Sequence, residues 1–154
     1  MTNKHHYVTH LECSITGKQY PAGQIHGLSE AGRPLLVRYD LKKMKQQLSR
    51  SDIENSTIPG FWRYAPMLPV ENPSDRVSLG EVITPLIPLQ QAASIIGGKQ
   101  GNILVKDEGR LPTGSFKARG LCLAVSMAKS FGIKHLAIPT NGNAGAAMAA
   151  YASQ

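Results

Sequence analysis

The sequence predicts an α/β fold, with βαβα units of an incomplete parallel sheet over residues 76–154 and an irregular segment over 1–75. Three observations predict it. First, the apolar run NILVKDE (102–108) is followed by a helix-like stretch, FKARGLCLAVSMAKSFG. A second short run, KHLAIPT (134–140), is followed by the small-residue stretch AAMAAYAS. Strand, helix, strand and helix at this spacing suit right-handed parallel crossovers. Second, Gly17, Pro21, Gly23, Gly27, Gly32 and Pro34 break any regular period in the first part of the chain. Third, 154 residues with 42% hydrophobic and 18% charged side chains are ordinary globular composition for about one domain.

Taken in order, the N-terminal part allows two short alternating stretches to form a small antiparallel ribbon. LLVRYD (35–40) reads as a strand, and Asp40 is placed to cap a helix through LKKMKQQLS, with Leu41, Met44 and Leu48 on one face. The segment 58–73 is studded with proline, yet Phe61, Trp62, Tyr64, Met67 and Leu68 mark it as buried rather than as a free linker. In the second part, 102–108 is expected to be a buried strand. Phe116, Leu121, Val125 and Ala128 are expected to face inward, with Gly132 as the helix stop. Two parallel strands leave edges and faces uncovered. The chain is therefore expected to be a piece of a longer protein, poorly stable and prone to aggregate alone.

The net charge is +7, from 17 basic and 10 acidic side chains. The compact basic run, Lys42, Lys43, Lys45 and Arg50, has no interleaved aromatics. It reads as a solvated helix face, so no nucleic-acid interface is expected. No stretch approaches a membrane span, and MTNKHHYVTHLECS lacks the long apolar run of a secretory signal. Cys13 and Cys122 form neither a disulfide framework nor paired ligand spacing, which suits a reducing, cytoplasmic setting.

Two motifs carry chemistry. In PTGSFKARG, Pro112, Thr113 and Gly114 make a turn and Ser115 can cap the following helix. Lys117 then lies in the first helical turn, where the helix dipole opposes a further positive charge. A neutral amine is what Schiff-base chemistry needs. The same spacing also fits a lysine that simply reaches solvent. In PTNGNAG (139–145), a turn opens a helix, and its backbone N–H groups can converge on an anion. It fits equally a plain glycine turn, and it matches neither a dinucleotide fingerprint nor a P-loop. Two such turns in succession would open at one end of a parallel sheet, where ligands bind.

KDEGRLPTGSFKARG resembles the lysine motif of fold-type II pyridoxal-phosphate (PLP) enzymes, whose fold is tryptophan synthase β-like. PTNGNAGAAMAAYAS resembles their asparagine loop, with Thr140 at the usual serine position. WRYAPMLPV (62–70), VSLGEVITPL (77–86), and the stretch from LECSITGKQYPAG to GRPLLVRYDL resemble the threonine synthases. The resemblance runs from about Leu11 to the end of the chain. It implies that Lys117 carries the cofactor and shuttles a proton, that Phe116 packs beside PLP, and that Asn143 binds the ring hydroxyl oxygen. It implies that Thr140, Asn141, Gly142 and Ala144 receive a substrate carboxylate. The implied reaction is the conversion of O-phosphohomoserine and water to threonine and phosphate, with a homodimer as the expected assembly of the full-length form. Another fold-type II lyase, such as a serine/threonine ammonia-lyase or a cysteate synthase, and an inactive truncated product are the alternatives.

Some positions depart from the family pattern. Ala118 stands where many relatives have aspartate, and Val82 stands where glycine is usual. Relatives often carry cysteine pairs near the N-terminus. Here Cys13 remains, with Thr16 and Ser29 nearby, so no zinc site is expected. His5, His6 and His10 read as tail residues. The family's phosphate-binding glycine loop, which comes later in its chains, has no match here.

Overall fold

A computed structural model describes residues 7–95 and 103–154. His5, His6 and Asn102 lie outside the described residues. The chain divides into two compact units: 1–58 with 62–76 and 126–136, and 59–61 with 77–125 and 137–154.

The first unit is built on an antiparallel sheet in the order β2 (Gln19–Pro21), β1 (Val8–Cys13), β3 (Leu35–Tyr39). This is the expected ribbon with the expected third strand. A shift in register between Val8 and His10 bends β1 against β3. Glu12 and Arg38 pair across the strands. Asp40 accepts from the Lys43 N–H at 2.8 Å and starts α1 (Leu41–Gln47), as its position suggested. Ser49 and Asp52 form a reciprocal capping box on α2 (Arg50–Glu54). The guanidinium of Arg63 closes the far end of α2 by donating to the carbonyls of Ile53 and Glu54.

Gly60–Met67 forms a 3₁₀ turn. Trp62, Ala65 and Val70 are buried, whereas Tyr64 and Met67 are exposed. The expectation of five buried side chains is therefore corrected. At three residues per turn, side chains point successively around the axis, so one face alone can reach the core. On α1, Leu41 is exposed, and Met44 and Leu48, read as sharing its face, are half-buried. Cys13 is buried, with its thiol 3.1 Å from the Ser29 hydroxyl and 3.5 Å from the Thr16 amide nitrogen. Among the described residues, no cluster of His, Cys, Asp or Glu is arranged to hold a metal ion.

In the second unit, β4 (Leu86–Pro88) pairs antiparallel with β5 (Leu104–Lys106), and α3 (Gln90–Ile95) follows β4. The expected parallel pairing of 102–108 with 134–140 does not form among the described residues. Residues 134–140 carry no strand. The expected burial of 102–108 is also corrected, since Leu104, Val105 and Lys106 are exposed. A parallel pair holds less well per residue and needs cover on both faces. The antiparallel partner at Leu86–Pro88 instead satisfies the backbone of β5 directly.

Helix α4 (Lys117–Ser130) is present where the periodicity placed it. Its buried positions within this unit are Ala118, Cys122 and Val125, spaced four and three apart. Val125 and, in the first unit, Ala128 are inward as expected. Leu121 is half-buried, and Phe116, just before the helix, is exposed at 60%. Gly132 ends the helix at φ 70, with the Ile133 N–H on the Ala128 carbonyl and its own N–H on Lys129. Helix α5 (Asn143–Ala152) follows the glycine turn and buries Ala147 and Tyr151. Among the described residues, no helix is long and apolar enough to cross a membrane.

Gly60 has φ 63, and a Cβ there would stand 1.7 Å from the backbone oxygen of Glu81. Gly17 has φ 69 but open space around it. Gly17→Ala is expected to cost roughly 1 kcal/mol, from the left-handed backbone alone. Gly60→Ala is expected to cost at least about 3 kcal/mol, because backbone must move. Urea unfolding midpoints of the two variants check the difference.

Candidate functional site

The motif residues belong to the second unit. Leu111, Pro112, Thr113 and Gly114 form a tight turn, closed by the Gly114 N–H on the Leu111 carbonyl at 2.9 Å. Thr113 takes φ 63 without being glycine, and Gly114 takes φ 70. Two consecutive left-handed residues reverse the chain and deliver Ser115 in extended conformation. The Ser115 hydroxyl, nearly buried, accepts from the Lys117 N–H at 3.3 Å. Lys117 therefore begins α4 as expected. Its ammonium nitrogen sits 4.3 Å from the centroid of the exposed Phe116 ring.

The second motif is organised by Thr140. Its hydroxyl oxygen accepts from the N–H groups of Gly142 and Gly145, both at 3.0 Å. With both lone pairs engaged, the hydroxyl's remaining capacity is as a donor. Gly142 adopts φ 139 at the helix start, and a Cβ on Gly145 would stand 2.6 Å from the Thr140 methyl carbon. Both glycines are thus required by this turn. The N–H groups of Asn143 and Ala144 open α5 with no acceptor among the described residues. Thr140, Asn141, Gly142 and Asn143 are exposed and Ala144 is half-buried. Helix α5 packs against the Pro112–Gly114 turn, so the lysine motif and the asparagine motif are neighbours in one unit.

Two carboxylates, Glu81 and Glu108, hold this arrangement through their partners, and the motifs did not single them out. Glu81 is buried at 3% exposure. Its carboxylate accepts from the Leu79 N–H at 2.9 Å, the Ser78 hydroxyl at 2.7 Å and the Tyr151 hydroxyl at 2.6 Å. Burial pushes this carboxyl up, but the hydrogen bonds outweigh it and hold it below its ordinary value. Burial, then the Glu81 carboxylate, drive the Tyr151 phenol upward. Glu108 forms the second knot. It receives the Arg119 guanidinium through Nε at 2.5 Å and Nη2 at 2.9 Å, and the Thr84 hydroxyl at 2.5 Å. The Lys106 ammonium donates to the Thr84 carbonyl at 3.0 Å and lies 3.9 Å from Glu108. A signal was available: Glu81 and Glu108 are acids within or at the end of apolar runs, where an unpaired charge is costly.

The pyridoxal-phosphate dependent enzyme model matches residues 77–154. The chain belongs to this family. The threonine synthase of Methanocaldococcus jannaschii is 36% identical over 142 residues, 92% of this chain and 34% of the relative. That of Methanosarcina acetivorans is 36% identical over 146 residues, 94% of this chain and 34% of the relative. The threonine synthase of a Synechocystis strain is 47% identical over 89 residues, 58% of this chain and 23% of the relative. The chain spans about a third of the length of the first two curated relatives. No solved structure matches it.

Arg119 above all, then Thr84, holds the Glu108 carboxyl down at about 2. The unfolded chain therefore takes up this proton first, near pH 4.5, and folding is weakened as pH falls from there to about 2. After screening by solvent, the loss attributable to this group is on the order of 1–2 kcal/mol. The thermal midpoint of the unsubstituted chain is expected to fall more steeply over that window than the midpoint of Glu108→Gln.

Proposed function

We propose that this chain is the lysine-bearing part of a threonine synthase, which converts O-phosphohomoserine and water to threonine and phosphate. The observation that carries the reading is the packing of the Pro112–Gly114 turn, which delivers Lys117, against helix α5, whose first N–H groups are open. The names of the relatives, 36% identical over nearly all of the chain, support the choice of substrate.

The residues present fit pyridoxal phosphate. Lys117 offers a primary amine at a capped helix start, beside the exposed flat ring of Phe116. When bound, the cofactor supplies an electron sink for carbanion chemistry at the substrate's α and β carbons. The chain's own tasks follow from its donors. Lys117 would attach the cofactor and then move protons through Nζ. Asn143 would offer its side-chain amide to the ring hydroxyl oxygen. Thr140 would donate its hydroxyl proton to a substrate carboxylate oxygen, because its acceptor sites are filled. The backbones of Asn141, Gly142 and Ala144 would complete that carboxylate site. In a protein of the relatives' length, further chain would supply the neighbours that turn 134–140 into a strand of a parallel sheet, and two copies would form a homodimer. A cytoplasmic setting is part of this reading.

Titration of the chain with PLP is expected to produce the visible absorbance of lysine-bound cofactor. Borohydride treatment and peptide mapping are expected to place the label on Lys117, and Lys117→Ala should remove the band. A folded chain that gives no band contradicts the reading. In the longer protein, release of phosphate from O-phosphohomoserine supports the named substrate. Release of ammonia from serine or threonine instead would favour the ammonia-lyase alternative.

A further inference from the structure

Helix α4 could place Lys117 in many directions, because a rotation of one residue about the helix axis is about 100°. Its first turn is capped by Ser115, but a single 3.3 Å bond from the Lys117 N–H does not define that angle by itself. A second restraint acts two residues later. Arg119 leaves the helix about 200° around from Lys117, and both its Nε and Nη2 meet Glu108, at 2.5 and 2.9 Å. The same Nη2 lies 3.3 Å from the Thr84 hydroxyl, which itself donates to Glu108. A planar fork with two parallel bonds fixes orientation as well as distance. Arg119 and Glu108 have side-chain exposures of 26% and 21%, so the pair is partly withdrawn from competing water.

We infer that Arg119, held by the Glu108 carboxylate and the Thr84 hydroxyl, is the positioning residue that sets the direction in which Lys117 leaves helix α4. The inference deepens the PLP reading and rests on it. The clamp grips the side of the first turn opposite Lys117 and ties it to the segment that ends β5. Arg119 itself touches no reacting atom in this account. Its charge is already neutralised by Glu108, so its contribution is geometric. A lysine at 119 would keep the charge but lose the fork.

The experiment uses the whole chain, PLP as the probe, and borohydride. The lysine amine condenses with the PLP aldehyde, one water leaves, and borohydride delivers hydride to the C=N bond. Mass spectrometry then gives the ratio of label at Lys117 to label at Lys129, an exposed lysine on the same helix. Arg119→Lys and Glu108→Gln are each expected to lower this ratio by about tenfold, which is what a misdirected near-attack geometry readily loses. Val125→Ala opens a small cavity further along the helix and is expected to lower the thermal midpoint while leaving the ratio unchanged. A ratio that stays at the unsubstituted value in both clamp variants overturns the inference and leaves the PLP reading standing. A ratio that falls equally in Val125→Ala overturns it too, because loss of stability alone would then explain the effect. An unsubstituted chain that shows no preference for Lys117 overturns the inference together with the reading beneath it.

Discussion

A carboxylate taken out of water needs several donors at once, and Glu81 finds them both beside it and far along the chain. Ser78 and Leu79 wrap it locally, while Tyr151 reaches it from helix α5. The backbone oxygen of the same residue leaves no room for a side chain at Gly60. Three stretches distant in sequence are thereby fastened at one residue. Removing Tyr151's hydroxyl would leave a buried charge short of a partner, a loss larger than the bond's net contribution in the intact protein.

The segment 77–84 extends this constraint to the other motif. The Cys122 thiol donates to the Val77 carbonyl at 3.2 Å, which ties α4 to the start of the segment. Thr84 at its other end joins the Glu108–Arg119 pair. One strap thus holds both helices, α4 after the lysine and α5 after the asparagine loop. The two knots differ in kind. Glu81 is neutral-partnered and deeply buried, so its role is largely structural. Glu108 is paired with a cation and partly solvated, so it depends on pH in the acid range.

Much of this was legible in the sequence. The cap at Asp40, the strand at Leu35–Tyr39, the helix from Lys117 and its glycine stop follow from local chemistry, and local chemistry decides them here. Strand pairing was not legible, because an apolar run such as NILVKDE does not say which neighbour it meets. Its antiparallel partner at Leu86–Pro88 lies in a stretch without strand periodicity. The position of Lys117 at a helix start was readable from its motif, whereas Asn143, read as part of the turn, is the first residue of α5. The bonds that hold them were not readable, since Glu81 and Tyr151 are 70 residues apart and no spacing rule connects them. Phe116 was misread as core from helical period. It precedes the helix, and its ring lies beside the lysine amine instead.

If the two motifs serve one ligand, amide chemical-shift mapping of the isotope-labelled chain during PLP addition shows it most directly. The amides of Phe116 and Lys117 and those of Asn143 and Ala144 are then expected to shift together, with one common saturation curve. Shifts confined to scattered exposed lysines, or a lysine motif that responds while Asn143 and Ala144 stay unmoved, would contradict a shared ligand.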